Sequence, residues 1–266
     1  MIKISATIIT KNEESFIERC ILSLKDVADE IIVIDSFSTD RTEEICNKLG
    51  VCFYKNAFKG HIQQKNFAIN KAKYDYILSL DADEALSEEL QEEIIKLKSN
   101  LKLKAYKINR LNNYMGQWVK FTDWNPDWKI RLFDKNIAHW GGMNPHDYII
   151  VNKGVKVGKI RQRILHWVIE DIESHSRKAN QFSSIGAQSY YENGIKSNFF
   201  KIIVNPSWSF LKSYIIKLGF LDGIAGLSIA TISSYTVFLK YIKLYQIQQK
   251  KGKAYLDYST QLEEKK

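Results

Sequence analysis

The sequence predicts an α/β fold built on a mixed, mostly parallel sheet flanked by helices. Three observations carry this. Short apolar runs alternate with helical segments over the first hundred residues. Acidic residues cluster just past the ends of those runs, where open α/β sheets bind ligands. Beyond residue 196 the composition turns basic and aromatic, which predicts amphipathic helices appended to the sheet.

Ile2 to Thr10 is β-branched and reads as the first strand. Asn12 is a candidate helix cap, with Phe16, Ile17, Cys20, Leu24 and Val27 following at helical spacing. Ile31 to Ile34 is a second buried strand, ending in Asp35-Ser-Phe-Ser-Thr-Asp40. Asp40 is expected to cap a short helix that starts at Arg41 and is closed by Gly50. Val51 to Tyr54 gives a third strand, His61 to Lys73 a helix, and Tyr76 to Leu80 a fourth strand.

That fourth run stops at Asp81, Asp83 and Glu84. Carboxylates one residue apart beside a buried sheet edge repel unless something positive lies between them. A hard divalent cation, Mg²⁺ or Mn²⁺, bridging to substrate phosphates satisfies that need. The same two aspartates also serve as candidate caps for the helix that Ser87-Glu-Glu-Leu90 starts, and the motif alone leaves both readings open.

After about Lys104 the pattern changes to half-exposed strands at 105–110, 128–133 and 163–168. Long Asn-, Gly- and Trp-rich stretches, 112–126 and 140–147, read as functional loops. Helical sequence returns near Glu170 and runs to about Asn193. Residues 1–195 are therefore assigned to a catalytic domain and 196–266 to a basic helical C-terminal region.

The chain has 266 residues, 45 % of them hydrophobic and 26 % charged, with formal net charge +9. This excludes a disordered or fibrous chain and points to an acidic partner. Cys20, Cys46 and Cys52 form a sparse, odd set, so a reducing compartment is expected, and the N-terminus lacks the pattern of a signal peptide. Between Lys196 and Lys253 nine lysines face one acid, Asp222, among large apolar residues. That bias predicts contact with an anionic membrane surface. Gly219 to Leu239 approaches the length of a spanning helix, but Asp222, Gly223 and Gly226 argue for a bent or hairpin geometry. The polar tail after Lys250 is expected to fray.

Four motifs, Ile8-Ile-Thr-Lys-Asn-Glu-Glu14, Ile34-Asp-Ser-Phe-Ser-Thr-Asp-Arg-Thr42, Gln64-Lys-Asn-Phe-Ala68 and Leu78-Ser-Leu-Asp-Ala-Asp-Glu84, resemble the family-2 inverting glycosyltransferases of GT-A fold. Trp124 to Phe133, Pro145-His-Asp147, Leu165-His166 and Leu218 to Gly223 are similar to the subgroup of lipopolysaccharide core β-glucosyltransferases. The resemblance implies a UDP-sugar donor, probed here by Thr10, Asn12, Glu13, Asp35, Lys65 and Asp81. It implies a lipid-linked glycan acceptor, a Mg²⁺ or Mn²⁺ cofactor on Asp83 and His166, and Asp147 as general base where many relatives carry Glu. It places Trp124, Asp127 and Arg131 near the donor sugar and acceptor; Arg131 reads equally as a phosphate partner or a structural ion pair. It also implies a cytoplasmic protein peripheral on the inner membrane face. Phe37 departs from the subgroup, which usually has Gly in that turn.

Other function classes fit less well. A basic nucleic-acid or membrane module has no reason to hold Asp35, Asp81, Asp83 and Asp147, which repel phosphate without a metal, so no nucleic-acid partner is expected. A nucleotidyltransferase usually carries a Gly-rich loop after the first strand, and Thr10-Lys-Asn-Glu13 has none.

Overall fold

A computed structural model describes residues 1–143 and 146–250, leaving out the side chains of Met143 and His146. The strands are β1 (Ile4–Thr10), β2 (Glu30–Asp35), β3 (Cys52–Lys55), β4 (Tyr76–Asp81), β5 (Glu84–Leu86), β6 (Ala105–Tyr114), β7 (Gln117–Trp118), β8 (Asp127–Asp134), β9 (Ala138–Met143), β10 (His146–Val151) and β11 (Val157–Ile169). The helices are α1 (Ile17–Leu24), α2 (Thr42–Lys48), α3 (His61–Lys71), α4 (Glu88–Ser99), α5 (Ile172–Glu192), α6 (Phe199–Leu211) and α7 (Gly223–Gln249). The chain divides into two compact units. One comprises Met1–Leu111 and Pro126–Trp167, the other Asn112–Asn125 and the residues from Val168 onward.

The first unit holds the sheet, in the order β3-β2-β1-β4-β8-β6-β11-β5. β3, β2, β1 and β4 are mutually parallel, and β8 joins β4 antiparallel. The central strands read as unbroken apolar runs because both faces are covered. Ile4, Ala6, Ile8, Val33, Leu78 and Leu80 enter one core, while Ile32, Ile34 and Ile77 enter the other. The register sets Thr10 opposite Asp35 and Ile9 opposite Asp81. The sheet thus delivers Asp35, Thr10 and Asp81 to the carboxyl ends of three adjacent strands.

Several local expectations are corrected. Asn12 caps no helix: it sits at φ +54°, and its Oδ1 accepts the Thr39 N–H at 2.8 Å, tying the turn after β1 to the turn after β2. Asparagine tolerates the left-handed region because its short amide bonds locally. Asp40 does accept the Thr42 N–H, at 3.0 Å, but also the Glu14 N–H, so it bridges two loops and α2 starts one residue late. Asp81 and Asp83 cap nothing. β5 intervenes, and Ser87 Oγ caps α4 by accepting the Leu90 N–H.

Within 140–147, expected as loop, residues 140–143 and 146–147 belong to the antiparallel strands β9 and β10, with Gly142 opposite Asp147. Their glycines serve the pairing. Gly142 has φ +99°, and a Cβ on Gly141 would meet Ile150 Cδ1 at 2.3 Å.

In the second unit, α6 and α7 form an antiparallel hairpin that packs with α5. Ser197 Oγ donates to Tyr241 O and Ser234 Oγ to Pro206 O. A π turn (Lys212–Ile216) and a 3-10 turn (Gly219–Asp222) connect the two helices. A Cβ on Gly226 would lie 1.8 Å from Gly219 O, so glycine alone permits this closure. Of the two glycines expected to bend the chain, Gly223 ends the turn at φ +61°, while Gly226 lies within the continuous helix α7. By length and composition the stretch Gly219–Gln249 is long and apolar enough to cross a membrane, but α5 and α6 flank it here. The tail expected to fray after Lys250 lies outside the described residues.

Candidate active site

Lys65 sits on the first turns of α3, which Gly60 starts at φ +129°. Its Nζ lies 2.8 Å from Asp81 Oδ1 and 2.8 Å from Asp147 Oδ2. One buried ammonium therefore joins the end of β4 to the first residues of β10, two strands 66 residues apart in sequence by number, 147 − 81. The indole of Trp140 closes over Lys65, its centroid 4.2 Å from Nζ. Asn66 fixes that indole by pairing with both backbone groups of Trp140.

From Asp81 the charges continue as a chain. Arg131 Nη2 donates to Asp81 Oδ2 at 3.0 Å and to Glu84 Oε1 at 2.5 Å. Arg110 donates to Glu84 Oε1 at 2.8 Å and to Asp127 Oδ2. Glu84 is fully buried, and its Oε2 accepts the Asp81 N–H at 3.0 Å. Burial pushes the Asp81 carboxyl up, but Lys65 first and Arg131 second outweigh it and hold it well below the usual carboxylate range. Asp127 is lowered by Arg110 and Lys129 against its own desolvation. Buried ion pairs contribute little net stability once desolvation is counted. The network fixes where each charge sits.

Asp83 points elsewhere, with Oδ2 3.4 Å from His166 Nε2. The register of β11 on β5, His166 opposite Glu84, causes that meeting, and the Trp167 N–H donates to Asp83 O at 3.0 Å. One carboxylate oxygen and one imidazole nitrogen at this spacing make a donor pair open to a first-row divalent cation, with Mn²⁺ favoured by the carboxylate. Among the described residues no group of three His, Cys, Asp or Glu could hold a metal, so the remaining positions would fall to ligand oxygens or water. The residues fit such an ion.

The Asp35 carboxylate, fully buried, accepts the Ser38 N–H at 2.9 Å and the Ser38 hydroxyl. Thr10 Oγ1 is buried without a hydrogen-bond partner. The Glu13 N–H donates to Thr42 Oγ1 at 2.9 Å. Phe37 adopts φ +60° and stays exposed. Trp124 belongs to the second unit, where its ring packs edge-on against Tyr114 and His175.

The first unit thus brings together Lys65, Asp81, Asp127, Arg131 and Asp147 in one charge network, with Asp83 and His166 paired at the same strand ends. Sequence reasoning assigned no role to Glu84, Arg110 or Trp140. Only Glu84 left a trace, as the acid ending the strand motif.

Residues 5–163 match the family model Glycosyl transferase family 2. An uncharacterised glycosyltransferase of Rickettsia typhi is 36 % identical over 262 residues, 94 % of this chain and 89 % of its own. The lipopolysaccharide core biosynthesis glycosyltransferase LpsC of Rhizobium meliloti is 26 % identical, covering 96 % of both chains. Among solved structures, a mannosyltransferase from Pyrobaculum calidifontis, in complex with GDP-Man and Mn²⁺, superposes with a TM-score of 0.51 at 11 % identity over 91 % of this chain and 86 % of its own. That likeness is one of GT-A fold.

Proposed function

We propose, from the premise that the chain belongs to glycosyl transferase family 2, that it moves a hexose from a UDP-sugar to a lipid-linked glycan with inversion at the anomeric carbon. The single observation carrying this is the convergence of Asp81 and Asp147 on Lys65. It sets an acid for the donor side and a separate carboxylate for the acceptor on one ammonium.

Asp147 acts as general base. As the acceptor oxygen forms its bond to the anomeric carbon, its proton passes to the Asp147 carboxylate, and the bond from that carbon to the diphosphate breaks on the opposite side. Asp35 accepts from the imide N–H of uracil, and Thr10 Oγ1, buried without a partner, is available to the nucleoside. Lys65 and Arg131 carry positive charge toward the diphosphate, and Asp81 orients both. Asn12 and Glu13 shape the nucleotide side by tying the two strand-end turns together. Asp127 holds Arg110 in the same network. Asp83 and His166 would hold a divalent cation, which when bound would supply positive charge against the leaving diphosphate.

Glucose as the donor sugar and the lipopolysaccharide inner core as the acceptor follow from the subgroup resemblance, and the LpsC relative supports that direction. The functional division remains a catalytic part, residues 1–195, and a basic C-terminal region, residues 196–266, that rests on the cytoplasmic face of the bacterial inner membrane. Exposed Phe199 and Phe200 beside Lys196 and Lys201 support that placement.

The test is a panel of UDP-sugars and GDP-mannose assayed for Mn²⁺-dependent donor hydrolysis. Turnover of one UDP-hexose is expected. A folded protein that hydrolyses none, or only GDP-mannose, removes the reading.

A further inference from the structure

The second unit carries an apolar surface that its own packing does not use. On α6 the residues facing α7 include Ile202 and Pro206, both buried. Away from that contact α6 carries large apolar side chains, Phe199, Phe200, Ile203, Trp208 and Leu211, all at least 49 % exposed. A water-facing helix side should be polar. This one is apolar, and lysines 201, 212 and 217 stand beside it.

The surface continues into the turn between the helices. Leu218, Phe220, Leu221 and Ile224 are 43, 45, 56 and 82 % exposed. The turn is strained, because Leu218 lies at φ +56°, a left-handed region that a branched side chain enters only at a cost. It is nevertheless rigidly held from below. The buried Asp222 carboxylate accepts the Lys120 N–H at 3.1 Å and the Phe121 N–H at 2.8 Å, while Asp222 O accepts from Gln117 Nε2. The Thr122 N–H donates to Lys217 O. The one acid among nine lysines thus serves as an internal anchor and adds no exposed negative charge to this face.

From this geometry we infer that the 218–224 turn is a lipid wedge. Leu218, Leu221 and Ile224 enter the acyl boundary of an anionic bilayer while Lys212 and Lys217 meet the headgroups. The inference rests on the peripheral membrane reading and deepens it, naming the element that inserts and the lipid charge it needs. Anionic lipid is the favoured occupant because lysines 201, 212 and 217 outnumber the one exposed acid beside them, Asp123, which pairs with Lys212 Nζ at 3.1 Å. A second copy of the chain would bring the same lysines against one another. Since Asp222 clamps the turn to residues 117–122, insertion also fixes the segment leading to Trp124 at the membrane surface, where a lipid-linked acceptor arrives.

The test uses the full chain and phosphatidylcholine vesicles with and without phosphatidylglycerol. Leu221→Asp should lower partitioning to the anionic vesicles at least about tenfold, the weight of one leucine withdrawn from lipid. In a Cys52→Ser background, where the remaining cysteines are buried, an environment-sensitive fluorophore on Leu221→Cys should shift to the blue on vesicles and be quenched by spin-labelled lipid. The same probe on the exposed Ser99 should stay aqueous. If the parent binds vesicles while the probe at 221 remains in water, or Leu221→Asp binds as the parent does, the wedge is overturned and the membrane reading stands. If the parent binds no vesicles, both fall. A dimer in vesicle-free solution that Leu221→Asp dissociates would overturn it in favour of a self-association surface.

Discussion

Lys65 and Asp147 meet at 2.8 Å although 82 residues separate them, and the same ammonium holds Asp81 at the same distance. This contact joins the two halves of the proposed chemistry. Lys65→Met leaves two carboxylates facing each other with only Arg131 on Asp81. Because Asp81 is partly exposed, the loss should stay below that of a fully buried pair, about 2 kcal/mol. Thermal melts should fall by several degrees and the KM for the donor should rise; an unchanged KM would assign Lys65 to structure alone.

Asp147→Asn removes the proton acceptor while keeping size and shape. The rate of transfer should fall by about 10²–10⁴ with donor binding retained. Asp147→Glu should keep part of the activity. Equal rates for the parent and the Asn variant would show that another group takes the proton.

Asp83→Ala should abolish Mn²⁺ binding measured by electron paramagnetic resonance in the presence of UDP, together with metal-dependent donor hydrolysis. His166→Ala should weaken the same binding by about tenfold or more, the scale seen when a metal-site histidine is disturbed. Undiminished Mn²⁺ affinity in His166→Ala would leave the imidazole a structural partner of Asp83.

His175 is buried against Trp124 and Tyr114, whose hydroxyl lies 3.1 Å from its Nδ1. Burial, reinforced by Lys178, lowers its pKa to about 4 from 6.5. The unfolded chain therefore takes up the proton first. The stabilisation is complete above about pH 6.5 and is lost as pH falls toward 4, by about 3 kcal/mol at the limit. Melting temperature should drop across that window, and His175→Gln should flatten the profile. A parent profile flat from pH 7 to 4 would remove the assignment.

Phe37 stands at φ +60° where the resembling subgroup usually has Gly. Phe37→Gly should relieve about 1–2 kcal/mol of backbone strain and add about 0.5–1 of chain entropy. A rise of a few degrees in melting temperature is expected. A fall would mean that the exposed ring contributes contacts worth more than the strain.

The sequence by itself determined the sheet and the acid-bearing ends of its strands. Ile2 to Thr10 is β-branched, and Ile31 to Ile34 and Tyr76 to Leu80 are short, largely apolar runs, as strands buried in a parallel sheet require. Their carboxyl ends therefore had to carry Thr10, Asp35 and Asp81. The basic composition after residue 196 was equally plain, because charge bias needs no partner to be seen. The β9–β10 hairpin was not legible: Gly141 and Gly142 imitate a loop until Ile150 is seen to demand the missing Cβ. Nor were Glu84, Arg110 and Arg131 legible as one network, since an ion pair between residues 26 or 47 apart leaves no periodic mark. Only the tertiary structure decided that Asp147 meets Lys65, that Asp83 meets His166, and that Asp222 anchors the turn. Each depends on strand register or loop closure, and those are set by the packing of the whole chain.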